Sequence, residues 1–136
     1  MVEVSNRNTS VIEEFRANGG RVKSFAHQPL LLLHHRGAKT GIERVNPLAC
    51  LELEHGYAVF ASKGGAPTNP DWYYNLIAHP DVTVEVGAET IPVRARIPSD
   101  EERDRIWEEQ KRRNPAFAGY ERKTTRRIPV VILERL

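Results

Sequence analysis

Apolar residues in this chain recur first with a helical period and then with a strand period. Val11, Ile12 and Phe15 stand at i, i+1 and i+4 after Thr9 or Ser10, either of which can cap a helix, and Gly19-Gly20 ends the pattern. A short helix from about 9 to 18 is predicted. Leu30 to Arg36 follows Pro29 as an apolar run of strand length, and Gly37-Ala38-Lys39-Thr40-Gly41 turns into a second extended run from Ile42 to Leu53. The pair reads as a hairpin. Pro47 cannot donate to a ladder, so the second strand must lie at an edge or be bulged there. Tyr57 to Ser62 reads as a third strand, entered at His55-Gly56 and left at Lys63-Gly64-Gly65.

The loop Ala66 to Pro70 leads into a helix, with Thr68 or Asn69 as cap, Pro70 in its first turn and Asp71 complementing its dipole; Pro80 stops it after His79. Val82, Val84 and Val86, then Ile91, Val93, Ala95 and Ile97, alternate with polar residues around Gly87-Ala88, which makes a second hairpin with one wet face. Ser99 with Glu102 forms a capping box for a helix over about 100–113, carrying Ile106 and Trp107, and Asn114-Pro115 ends it. A polar stretch follows. Ile128 to Leu133 reads as a buried last strand. About six strands joined mainly by hairpins, with two or three helices, predict a mainly β (α+β) antiparallel barrel with helices outside. No βαβ rhythm is present.

The 136 residues suit one domain spanning 1–136, and 40% hydrophobic against 28% charged residues suits an ordinary globular core. Net charge is only +2, so no nucleic-acid partner follows from composition. The lone Cys50 and the lack of a signal peptide pattern in MVEVSNRNTS predict a cytoplasmic protein; no apolar run approaches membrane-spanning length. Gly37 to Gly41 lacks the Gly-Lys-Thr order of a phosphate loop before a helix, no Gly-x-Gly-x-x-Gly or Gly-x-Ser-x-Gly occurs, and the histidine spacings offer no metal set. His34 and His35, adjacent in a strand, point to opposite faces.

What remains is fixed positive charge beside flexible backbone. His35, Arg36, Lys39 and Arg44 cluster around one turn, and Ser62-Lys63-Gly64-Gly65 sets two glycines after a lysine, which lets N–H groups approach an anion. If both turns lie at one end of the barrel, Lys39, Arg44 and Lys63 meet at a phosphate-sized site; otherwise they are solvated turn cations. Trp72 and the tyrosines after it either wall a flat ring, with Asn75 at a polar ring edge, or belong to the core. Phe117 and Tyr120 either close such a pocket or cover the core.

The stretches FRANGGRV (15–22), LLLLHHRGAKTGIERVNPL (30–48), ASKGGAPTNPDWYYNL (61–76) with Pro80, and the closing TTRRIPVVILER together resemble the deazaflavin-dependent nitroreductases, the F420H2-dependent quinone reductase family, over nearly the whole chain. The resemblance implies a split β-barrel related to FMN-binding split barrels. It implies an oxidoreductase in which reduced coenzyme F420, an 8-hydroxy-5-deazaflavin, gives a hydride to a quinone or nitro-aromatic acceptor. Carried onto these motifs, Lys39, Arg44, Lys63 and the backbone at Gly64 and Gly65 hold the cofactor phosphate. Asn46, Pro47, Trp72 and Asn75 form its pocket, Ser62 lies near ring and acceptor, and Phe117 and Tyr120 position the acceptor.

This chain departs from that pattern in several places. His34 and His35 replace common threonines, Asn114 and Phe117 stand where tyrosines are frequent, and Lys23-Ser24 replaces glycines. The departures bear on the acceptor more than on the cofactor. Alternatives are a protein that binds F420 or a lipid-like ligand with little turnover, and an FMN enzyme on the same barrel. The acceptor, peripheral contact with the inner face of a membrane, and monomer against homodimer stay open.

Overall fold

The computed structural model describes residues 2–3, 6–25 and 28–136. Its strands are β1 (Val2–Glu3), β2 (Leu30–Arg36), β3 (Glu43–Leu53), β4 (Gly56–Phe60), β5 (Asp81–Val86), β6 (Glu89–Arg96) and β7 (Val130–Arg135). Its helices are α1 (Asn6–Ala17), α2 (Asp71–Ala78), α3 (Asp100–Arg113) and α4 (Ala116–Lys123). Six strands close antiparallel in the order β3-β2-β5-β6-β7-β4 and back to β3, while β1 pairs in parallel with Glu43 and Arg44. The barrel is the predicted one.

The leucine run shows why these residues close a barrel. Leu31 and Leu33 point inward with Val59, Val84, Val93, Val131 and Leu133, while Leu30 and Leu32 point outward beneath Ile12, Phe15 and Val22 of α1 and its following turn. Both faces of β2 are therefore dry, which a run without alternation requires. Burying each such side chain contributes roughly 1.5–3 kcal/mol. On the opposite wall, Ala58, Phe60, Val130 and Ile132 turn outward against Ile106 and Trp107 of α3 and Phe117 of α4. The second hairpin has fully buried Val84 and Val93 on one face, while the other is exposed at Thr90, Pro92 and Arg94 and part-covered at Thr83 and Glu85.

Among the described residues four α-helices are present, where the sequence pattern predicts two or three. The polar stretch after Pro115 holds α4, whose fully buried position is Phe117 alone, too little to show a period; it forms because Phe117 docks edge-on to Phe60 at 5.4 Å. Other boundaries also differ. α1 begins at Asn6, so Thr9 and Ser10 lie inside it instead of capping it, their weak propensity offset by the packing of Ile12 and Phe15. Pro70 rather than Thr68 or Asn69 occupies the N-cap position of α2, whose first helical residue is Asp71. β4 ends at Phe60 and β6 at Arg96, leaving Ile97 exposed, and β7 starts at Val130. The Ser99 half of the expected capping box forms, its hydroxyl accepting from the Glu102 N–H at 3.2 Å, while the Glu102 carboxylate accepts from Arg96 at 2.9 and 3.0 Å.

β3 serves two partners in succession. Its first part pairs with β2 from Arg36↔Glu43 to Leu30↔Ala49, and its last part pairs with β4 from Cys50↔Val59 to Leu53↔Gly56. Among the described residues no strand pairs with the edge of β3 turned away from β2 between Val45 and Ala49. The Gly37 N–H to Ile42 carbonyl bond (2.9 Å) and the Cys50 N–H to Pro29 carbonyl bond (3.1 Å) fix the alternation of the ladder between them. Pro47 therefore lies opposite Leu32 in a non-hydrogen-bonded pair, and its missing N–H faces the open edge. The expectation of an edge at Pro47 is met.

Candidate functional site

β4 runs toward the end of the barrel that holds the β2–β3 turn. Instead of continuing along β3, the chain after Phe60 swings onto α4. Gly65 sits so close to it that an added Cβ would lie 2.8 Å from the Lys123 Cβ and 2.9 Å from the Tyr120 carbonyl oxygen, and its φ of +86° is one that L side chains rarely adopt. The two strands part here. The edge of β3 left without a second strand lies on one side of the parting, and the Ser62–Gly65 turn that follows β4 on the other.

Two positively charged turns stand at this end. One is the β2–β3 turn with exposed Lys39, followed by Arg44 on β3; the other carries exposed Lys63. In register, Arg44 faces His35 and Asn46 faces Leu33, so Arg44 and Asn46 share the inward row of β3 with Cys50. Ser62 (φ −74°, ψ −37°) followed by Lys63 (φ 47°) is a right-then-left-handed pair, which turns consecutive N–H groups into one anion-binding concavity. Those groups belong to Ser62, Lys63 and Gly64. The N–H groups of Gly65 and Ala66 are engaged within the turn, by the Ser62 carbonyl at 2.9 Å and the Lys63 carbonyl at 3.1 Å. Lys63 Nζ lies 3.3 Å from Thr68 Oγ1.

Arg126 holds this loop, and no sequence pattern singled it out. Its guanidinium donates to the carbonyls of Ala66 (2.9 Å), Ala61 (3.1 Å) and Ser62 (3.0 Å) and to Asn69 Oδ1 (2.7 Å). One planar fork thus bridges the stretch from 61 to 69. The same arginine, read along the chain, is one of two in a polar run just before the last strand.

α2 plugs this end of the barrel. Trp72 and Leu76 belong to the interior cluster, and Trp72 is only 6% exposed, so the indole supports the end of the barrel from within. Asn75, equally buried, accepts the Ala38 N–H at 2.9 Å through Oδ1 and offers Nδ2 to His35 Nδ1 at 3.0 Å. His35 Nε2 in turn lies 2.7 Å from Asn46 Oδ1. His34 points to the opposite face as predicted, between Glu43 (3.1 Å) and Glu85 (2.6 Å), and Glu85 also binds Arg16 of α1. The Arg16 guanidinium, with help from His34, holds the Glu85 carboxyl below its usual range against an opposing effect of burial.

Phe117 and Tyr120 occupy different environments. Phe117 is enclosed by Phe60, Trp107 (6.0 Å) and Tyr120 (5.1 Å), all in edge-on contact, and is 4% exposed. Tyr120 is half-buried, and its backbone meets the Gly65 turn. At the opposite mouth of the barrel from these turns, a cavity of about 580 Å³ is lined by Gly20, Val22, Phe25, Pro29, Tyr57 and Val86 among others. No group of three His, Cys, Asp or Glu residues suited to a metal occurs among the described residues, and no helix there is long and apolar enough to cross a membrane.

The closed barrel, its open stretch of β3 and the two cationic turns define a split-barrel protein. The chain belongs to the F420H(2)-dependent quinone reductase family, which residues 7–135 match. It is 38% identical over 126 residues to the F420H(2)-dependent quinone reductase Rv1261c of Mycobacterium tuberculosis, covering 89% of this chain and 85% of that protein. Among solved structures it resembles an F420-H2 dependent reductase (FDR-A) with TM-score 0.71 and 42% identity, covering 78% of this chain and 94% of that one. It also resembles a domain-swapped dimer with TM-score 0.73 and 38% identity, covering 94% and 95% of the two chains.

Proposed function

We propose that this chain binds coenzyme F420 between β3 and Ser62–Gly65, and that it uses the reduced cofactor to reduce a quinone-like acceptor. The carrying observation is that two cationic turns and an unpaired strand edge lie at the same end of one barrel. The residues fit the group. A phosphodiester with an acidic tail calls for Lys39, Arg44, Lys63 and the concavity at Ser62, Lys63 and Gly64, and a flat heteroaromatic ring with polar edges suits the bare backbone at Val45–Ala49 with Asn46 and Pro47. Trp72 and Asn75 serve from behind, the first as support for this end of the barrel and the second as the anchor of the Lys39 turn.

When bound, the reduced deazaflavin supplies a hydride; the chain's own residues hold and orient it and exclude water. In this reading Ser62 and Tyr120 stand beside the acceptor, a role supported by the Tyr120 backbone meeting the Gly65 turn and by Phe117 packing against the Tyr120 ring. Electron-poor nitro-aromatics fit the same requirement for an acceptor that takes a hydride. Fluorescence titration of the purified protein with F420 in parallel with FMN, followed by menadione added to the reduced F420 complex, tests the reading. Tight F420 binding with oxidation by menadione is expected. Preference for FMN would overturn the cofactor, and binding without oxidation would make this a binding protein. Replacing Lys39 and Lys63 together with alanine is expected to weaken F420 binding about tenfold or more, since each hydrogen bond to a charged group contributes roughly 1.5–3 kcal/mol. Unchanged affinity would place the phosphate elsewhere.

A further inference from the structure

The chain Ala38, Asn75, His35, Asn46, buried at Asn75 and His35, has one consistent pattern of protons. A backbone N–H can only donate, so the Ala38 contact fixes Oδ1 of Asn75 toward the turn. Its Nδ2 must then donate to His35 Nδ1, which carries no proton, and the imidazole keeps its single N–H on Nε2, donated to Asn46 Oδ1. Asn46 thereby turns its oxygen inward and keeps its amide N–H groups for another acceptor. Each end of the relay adjoins the proposed site: Ala38 precedes Lys39, and Asn46 lies on the open stretch of β3.

We infer that His35 is a positioning residue, its neutral Nε2–H tautomer holding both the Lys39 turn and the orientation of Asn46, so that protonation of Nδ1 releases the turn and weakens binding of the anionic cofactor. The inference rests on the cofactor reading above. A proton on Nδ1 would confront the Asn75 N–H groups donor to donor; turning the Asn75 amide to relieve this brings Nδ2 against the Ala38 N–H, so one bond must break. The surroundings favour the neutral ring. Burial lowers the His35 pKa, Arg44 from β3 and His34 on its own strand add to this, and the Asn46 bond and Asp71 of α2 oppose it. Arg36, Glu43 and Asp81 line the outer side of the same region, Asp81 being held by Arg94 at 2.6 Å and Glu43 by His34.

The test uses the full chain labelled with 15N. At neutral pH, His35 should show an unprotonated Nδ1 and a protonated Nε2 in long-range proton–nitrogen spectra. As pH falls below about 6.5, the Ala38 amide should lose its exchange protection with the midpoint of the His35 titration. Over the same range F420 affinity should fall about fivefold, the equivalent of one neutral hydrogen bond. His35→Asn keeps an acceptor for Asn75 and cannot titrate, so Ala38 protection and F420 affinity should lose this pH step. Asn75→Asp offers only acceptors, so it should instead raise the His35 pKa. A protonated Nδ1 at neutral pH, or Ala38 protection indifferent to the His35 titration in the unsubstituted protein, overturns the inference. No F420 binding at any pH with the nitrogen pattern intact overturns the cofactor reading and with it this role, while the relay itself survives.

Discussion

Two inward-facing side chains at opposite ends of the barrel show what burial does to chemistry. Cys50 is 3% exposed, and desolvation, with a lesser effect of Glu52, pushes its thiol up to about 12. It should resist iodoacetamide at pH 8 in the folded protein and react on unfolding, as mass spectrometry would show; labelling of the native chain would contradict this burial. His35 has its pKa lowered, so the folded state binds fewer protons than the unfolded chain between that value and about 6.5. Stability from the neutral ring is thus complete above about 6.5 and is lost as pH falls toward the folded value, an effect that urea unfolding of the protein and of His35→Asn at several pH values would separate. The resemblance expects a phenol at position 117, yet the Phe117 ring is enclosed by three others. Phe117→Tyr should therefore lower the unfolding free energy by roughly 1–3 kcal/mol without raising quinone turnover, because the added hydroxyl is buried among rings. A rise in turnover would give position 117 a direct part in acceptor chemistry.

At the scale of elements, local signals were legible where a local cause exists. The Ser99 cap, the two glycine-containing hairpin turns and the opposed histidines follow from spacing alone, and Ser99→Ala should cost about 1 kcal/mol in thermal unfolding. α4 was not legible, because one fully buried Phe117 gives no period and its partners Phe60 and Trp107 come from other segments. Arg126 was invisible for the same reason, since its acceptors lie some sixty residues earlier in the chain. Arg126→Lys should preserve charge while losing the fork, speed amide exchange across 61–69 and cost on the order of 2 kcal/mol. If exchange there is unchanged, the loop is held by its turn geometry and not by the arginine.

For the whole molecule, the motifs named the cationic residues, but only barrel closure brings the β2–β3 turn and the β4 exit to one end. With a net charge of +2, the long-range field is weak, so the local cations must supply the attraction for an acidic ligand. F420 affinity should accordingly fall when salt is raised from about 50 mM to about 500 mM, where screening shortens the Debye length to a few ångströms. Salt independence would assign binding to the ring. The parted seam between β3 and β4 has one more consequence. An exposed strand edge is a template on which a foreign peptide can add and from which aggregates grow. Pro47 sits in the middle of this one and lacks the donor that such an added strand would require. The edge is thereby guarded against an added polypeptide strand.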